Sequence, residues 1–256
     1  MDSHGRARLR RFLAALSGRE FSREGFAAVV SPAVGIVYPD RLKRLIGLLK
    51  AGGACRVLPV ASGIPAFASA CASSARERGP GIHILSACPA AVDFIASQYP
   101  SLVEYILDIP SPMALSAEAA LSLGSIPGGT AVAVSACSLK KREEGRVPFD
   151  LRIVAAGRLF DALADSGFRL EDYPEAGFDE GAAAVPMGDC AIPELVGAEL
   201  EHLSAGAVSV LKLEGAAGSR ATLSELSRRR ESGGAYTIVE LSFCENGCVR
   251  EPEIQA

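Results

Sequence analysis

Short apolar runs recur along this chain, and a stretch with helical spacing follows most of them. The runs are "FAAVVSPAV" (26–34), "CRVLPVA" (55–61), "GIHILSA" (81–87), "GTAVAVSA" (129–136), "LRIVAA" (151–156), "AGAVSVLKLEG" (205–215) and "AYTIVELS" (235–242). A strand with one wet face alternates apolar and polar residues, whereas a strand covered on both faces is apolar nearly throughout. Helical patterns at 38–53, 64–79, 90–106, 157–166, 192–204 and 219–234 separate the runs. Strand and helix in alternation predict an α/β fold with mostly parallel strands. Ser219 is the expected N-cap of the 219–234 helix. Residues 171–190, rich in Gly, Asp and Pro, are expected as loop. The stretch 108–129 holds "DIPSPMALS" and "SIPGG" and is expected to be a hinge. The predicted organisation is a basic helical lead-in at 1–25, a first lobe at 26–125 and a second at 126–256. Each lobe is expected to be a mostly parallel sheet flanked by helices, with a metal site in the cleft between them. The arginine-rich lead-in reads either as a solvated surface helix or as a docking segment.

Three of the apolar runs deliver a cysteine just past their C-terminal end: "HILSACPAA" (83–91), "VAVSACSLK" (132–140) and "TIVELSFCENGC" (237–248). Ligands of parallel α/β sheets bind beyond the carboxyl ends of the strands. Cys88, Cys137 and Cys244 sit at such ends, and Cys248 follows Cys244 at a spacing of four. Four thiolates are the usual complement of a 4Fe–4S cluster. Zinc also accepts four thiolates, but its usual knuckles are two short Cys-x-x-Cys pairs, and only one close pair exists here. The competing interpretation is that these are ordinary buried cysteines. Cys55, Cys71 and Cys190 lack a partner motif and are read that way.

Composition narrows the setting. The chain has 256 residues, of which 49% are hydrophobic, so a sizeable core can form. Its net charge of −4 argues against a nucleic-acid partner. No apolar run has transmembrane length. The 7 cysteines are odd in number and no export signal is evident, so a disulfide framework is not expected and a cytoplasmic location is.

With those motifs in hand, the chain resembles the catalytic domain that forms the C-terminal part of the large subunit in iron-only (FeFe) hydrogenases. That family carries T-S-C-C-P, P-C-x-x-K-K-x-E and E-x-x-x-C-x-x-x-C in order. Here they read "LSACPA" (85–90), "ACSLKKREE" (136–144) and "ELSFCENGC" (240–248). The resemblance implies that Cys88, Cys137, Cys244 and Cys248 ligate a 4Fe–4S cluster, with Cys248 bridging to a two-iron subsite. Lys140 matches a lysine that hydrogen-bonds a cyanide of that subsite, although it also reads as a solvated lysine in the charge run "KKREEGR". Glu143 and Arg146 match flanking polar residues of the second motif. "SPAV" (31–34) and "SPM" (111–113) resemble pocket-lining segments.

The departures from the family pattern bear on activity. The proton-shuttling cysteine before the first ligand is Ala87, which carries no titratable proton. The methionine–proline pair before the second ligand is Ser135–Ala136, and the methionine two residues before the third is Ser242. Met113 stands where a polar pocket group is found. The expectation is therefore a hydrogenase-like iron–sulfur protein for electron transfer or redox or hydrogen sensing, with little hydrogen turnover. A ferredoxin-like carrier or ferredoxin-domain subunit would supply electrons. The alternatives are an active iron hydrogenase with a divergent proton route, and a cluster-free interaction domain.

Overall fold

A computed structural model of the chain describes residues 3–21, 25–126, 128–179, 208–228 and 235–245. In chain order its elements are α1 (Ser3–Ser17), β1 (Phe26–Val30), α2 (Pro32–Val37), α3 (Leu42–Ala51), β2 (Ala54–Pro59), α4 (Ile64–Arg78), β3 (Gly81–Ile84), α5 (Pro89–Gln98), α6 (Pro112–Leu123), β4 (Thr130–Ser135), β5 (Asp150–Ala155), α7 (Ala156–Asp165), β6 (Val208–Glu214), α8 (Arg220–Leu226) and β7 (Tyr236–Ser242). All strand pairings among the described residues are parallel, as the apolar runs predict. The helix expected at 192–204 lies outside the described residues.

The chain divides into two units that interleave in sequence. The first takes its described residues from 3–63 and 113–179. Its sheet has the order β2-β1-β4-β5. Successive side chains of a strand point to opposite faces, and β1 shows the result. Phe26, Ala28 and Val30 join one core cluster with Leu45 and Leu49 of α3 and Leu159 and Leu163 of α7. Ala27 and Val29 join another with Met113, Ala117 and Leu121 of α6. Leu9 and Leu13, one turn apart on α1, are buried in the first cluster. The lead-in is thus built into this unit, with Arg6 and Arg11 exposed and Arg8 donating to the Ser166 carbonyl at 2.8 Å. The boundary expected at 125/126 does not hold, because the sheet pairs β1 with β4 across it.

Two proline signals act differently from their expected roles. The run at 26–34 stops being strand at Val30, because Pro32 has no N–H for the ladder and its fixed φ suits the first helical position. The hinge expected at 108–129 contains α6. Pro112 starts this helix, and Ala114, Ala117, Ala120 and Leu121 supply its buried stripe.

The second unit takes its described residues from 64–112 and 208–245. Its sheet is β3-β7-β6. Ile84, Val239 and Leu241 pack with Ala91 and Ile95 of α5 and Leu223 and Leu226 of α8. The helix expected over 90–106 is split. α5 ends at Gln98, and a 3-10 turn covers Pro100–Tyr105. Pro100 cannot continue the i→i−4 ladder, and it holds Tyr99 out of helical geometry (φ −137, ψ 62). Ser219 precedes α8, but its hydroxyl makes no cap. It donates to the Gly215 carbonyl at 2.7 Å instead.

Candidate metal centre

In the second unit, β3 and β7 run side by side with Ile84 opposite Val239. The Leu85 N–H extends this pairing to the Val239 carbonyl at 2.9 Å. Cys88 follows β3 and Cys244 follows β7, so both residues lie past the same edge of one sheet. Both are of intermediate exposure and neither forms a disulfide. Cys88 takes the N-cap position of α5 with extended geometry (φ −111, ψ 106), and Pro89 occupies the first turn. Its half-buried side chain packs against the cluster that holds Ile84 and Ile95. The turn before it is tied down twice. Leu107 N–H donates to the Ile84 carbonyl at 2.8 Å, and Ser86 Oγ donates to the Ile109 carbonyl at 2.8 Å. Ala87, next to Cys88, has only a methyl side chain.

Beyond β7, Gly215 N–H donates to the Ser242 carbonyl at 2.9 Å and Ala216 N–H to the Phe243 carbonyl at 3.0 Å. Gly215 has φ +72, and a Cβ there would lie 2.8 Å from Glu245 Cγ. The left-handed φ at Gly215 is the conformation that favours glycine at this turn beside the segment carrying Cys244. Cys248 lies outside the described residues.

In the first unit, Cys137 follows β4 and caps a 3-10 turn, Ser138–Glu143, with extended geometry (φ −108, ψ 118). Its N–H donates to Ser135 Oγ at 3.1 Å. Lys140 Nζ meets Glu143 Oε1 at 2.6 Å, and the two side chains are only 14% and 9% exposed. Lys140 is therefore not a solvated member of the charge run. Glu144 accepts the Ile153 N–H at 2.7 Å and ties the turn to β5. Ser31 N–H reaches the Val134 carbonyl at 2.9 Å, which places the "SPAV" segment at the C-terminal edge of this sheet. Ser111 and Met113 are buried at the start of α6.

The remaining described cysteines have a different chemistry. Cys71 is fully buried on α4, and burial pushes its thiol up to about 12. Cys55 donates to the Phe26 carbonyl at 3.2 Å, and its pKa is raised by burial. Neither is suited to act as a thiolate ligand. Among the described residues, no group of three or more His, Cys, Asp or Glu side chains is gathered as a metal cage. Cys88, Cys137 and Cys244 differ from Cys55 and Cys71 in standing just past strand ends, each with intermediate exposure and no disulfide.

Some well-held polar groups carry no sequence signal. Asp179 accepts from Lys50 Nζ at 2.5 Å and from Val57 N–H at 2.7 Å, closing the outer edge of β2. His83 on β3 is 3% exposed and stacks on Tyr236, with ring centroids 5.8 Å apart. Its Nε2 lies 3.0 Å from the Gly79 carbonyl, so Nε2 carries the proton. Its Nδ1 is buried without a partner among the described residues.

Comparison with known proteins agrees with the fold. The family described as "Iron only hydrogenase large subunit, C-terminal domain" matches residues 25–185. That span contains Cys88, Cys137 and Lys140, while Cys244 and Cys248 lie beyond it. A curated relative, the "Cytosolic Fe-S cluster assembly factor NAR1" of Encephalitozoon cuniculi, is 26% identical over 191 residues. The match takes in 66% of this chain and 51% of the relative, so the chain spans about half the length of that protein. Among solved structures, a variant of the [FeFe]-hydrogenase HydA1 from Chlamydomonas reinhardtii superposes with a TM-score of 0.66 at 17% identity, covering 95% of this chain and 83% of that one. An [FeFe]-hydrogenase structure of HydA(deltaEFG), described as revealing stepwise H-cluster assembly, gives 0.63 at 18% identity, with coverage of 95% and 83%.

Proposed function

This chain belongs to the iron-only hydrogenase family, within the C-terminal domain of its large subunits, and from that premise we propose that it holds a 4Fe–4S cluster through Cys88, Cys137, Cys244 and Cys248. Its role in this reading is electron transfer or redox or hydrogen sensing in the cytoplasm, with little hydrogen turnover. The observation that carries the reading is the placement of Cys88 and Cys244 past one edge of the β3–β7 sheet, with Ala87 beside Cys88. A bound cluster supplies a one-electron couple tuned by hydrogen bonds to its sulfurs. The chain's own part is to fix the thiolates on strand-end turns and to keep Lys140 engaged by Glu143, as the candidate polar contact to the cofactor. Alanine at 87 offers no proton at the position next to the first ligand, which removes a general-acid contribution of about 10²–10⁴-fold. A ferredoxin-like carrier is the proposed electron partner. No described helix is long and apolar enough to cross a membrane.

The test is iron and sulfide analysis after anaerobic reconstitution, with about four of each expected per chain. Zinc without sulfide would support a zinc site, and no metal would support a cluster-free interaction domain. Hydrogen evolution from a reduced dye, with infrared bands of iron-bound carbonyl and cyanide, would return the reading to an active hydrogenase. The name of the 26% identical relative favours a second reading, in which the chain takes part in cluster assembly. Transfer of the reconstituted cluster to an apo-ferredoxin would distinguish that role from electron transfer.

A further inference from the structure

Each of the three described strand-end cysteines is preceded two residues earlier by serine: Ser86, Ser135 and Ser242. The three serines are used differently. Ser86 Oγ donates to the Ile109 carbonyl. Ser242 contributes its backbone carbonyl, which accepts from Gly215 N–H. Ser135 turns its hydroxyl onto the cysteine's own backbone, accepting the Cys137 N–H at 3.1 Å. Ser135 is 2% exposed and is the last residue of β4. A serine that bonds the amide two residues on makes a local turn that competes with continued strand. That bond ends β4 and turns the chain into the 3-10 segment behind Cys137.

We propose that Ser135 is a positioning residue for Cys137, whose hydroxyl fixes the ligand turn and keeps the Cys137 N–H from donating to sulfur. The inference rests on the reading of Cys137 as a cluster ligand. Backbone N–H groups that reach cluster or cysteine sulfur stabilise the more negative, reduced state and so raise the potential. With its N–H taken by Ser135, the Cys137 turn holds the couple lower than a free amide would. Removing the hydroxyl releases the N–H and loosens the turn, and changes around metal ligands of this kind cost about 10–100-fold in metal affinity.

The experiment compares the full-length native protein with Ser135→Ala, Ser135→Thr and Ser242→Ala, reconstituted with iron and sulfide. Ser135→Ala should raise the midpoint potential and lose iron to a chelator about tenfold faster. A tenfold change in the relative stability of the two oxidation states reads as about 59 mV for a one-electron couple. Ser135→Thr, which keeps the hydroxyl, should restore both values, and Ser242→Ala should leave the potential in place. Equal potentials for native and Ser135→Ala, or equal shifts in the Ala and Thr variants, would overturn the proposal. A second readout needs no cluster. The Cys137 amide of the apo-protein should exchange slowly in the native and Thr forms and quickly in the Ala form. Fast exchange in the native protein would also overturn it. A native chain that binds no iron and sulfide, yet protects this amide, would defeat the cluster reading while leaving the turn assignment intact.

Discussion

The turn that carries Cys137 and the turn that carries Cys88 both follow a parallel strand but are held by different materials. Around Cys137 the work is done by polar side chains: the Ser135 hydroxyl, the Lys140–Glu143 ion pair and the Glu144 carboxylate on Ile153 N–H. Around Cys88 it is done mainly by backbone pairing and apolar packing. Leu107 N–H meets the Ile84 carbonyl, Pro89 opens α5, and Ile95 is fully buried beneath it. Ser86 adds one side-chain bond. A polar scaffold places a ligand with directional bonds, and it fails sharply when one partner is removed. An apolar scaffold answers to lost volume and tolerates polar change at its rim. Single substitutions should therefore separate the two turns.

The largest effect is expected from Glu143→Ala, which removes the buried carboxylate that Lys140 meets at 2.6 Å. Breaking a buried pair from one side costs about 3–5 kcal/mol, read as a lower denaturation midpoint. A loss below about 1 kcal/mol would show that the Cys137 turn does not depend on its charges. For the Cys88 turn the matching test is Ile95→Ala, expected to cost about 2–5 kcal/mol through the cavity it leaves. If Ser86→Ala cost as much as Ile95→Ala, the contrast would fail, since one hydrogen bond is worth about 1 kcal/mol. Denaturation curves of the two variants decide it.

His83 sharpens the comparison through pH. Burial holds its pKa below the ordinary 6.5, outweighing the opposing Gly79 carbonyl, and the Arg78 charge adds to the lowering. The folded state thus binds fewer protons than the unfolded one. This contribution to stability is complete above pH 6.5 and declines as the pH falls from there through the lower folded-state value. His83→Phe, which keeps a ring against Tyr236, should flatten the acid side of the stability profile, and an unchanged profile would remove His83 from the account. The smallest effect is expected at Cys71. With its thiol pushed up to about 12, it should resist alkylation in the native protein at about pH 8 while the half-exposed Cys88 reacts. Mass spectrometry of the labelled peptides reads this out.

Much of the architecture was legible because periodicity reports burial directly. The runs at 26–30 and 130–135 are apolar nearly throughout, and both strands are buried on both faces. The cysteines at strand ends were legible for the same reason, since a strand's end fixes which edge of the sheet its next residue occupies. Proline was less legible. Pro32 falls inside an apolar run that reads as strand and Pro112 inside a stretch that reads as a hinge, yet each opens a helix, because a residue without an N–H is costless in a first turn whose N–H groups have no helical acceptor. The charge run around Lys140 misled in its solvated reading, because composition cannot tell a wet ammonium from one turned onto a carboxylate three residues away.

By itself, the amino-acid order determined the α/β class, the parallel strands and the position of Cys88, Cys137 and Cys244 just past them. Tertiary structure alone decided that β1 pairs with both β2 and β4, that the two units interleave, and that Asp179 closes the β2 edge with Lys50. The division has a physical cause. Hydrophobic burial is non-directional, so a local pattern records which face is covered but not by which neighbour. Strand order and distant ion pairs are set when segments far apart in sequence compete for the same edges and carbonyls, and only the closed fold resolves that competition.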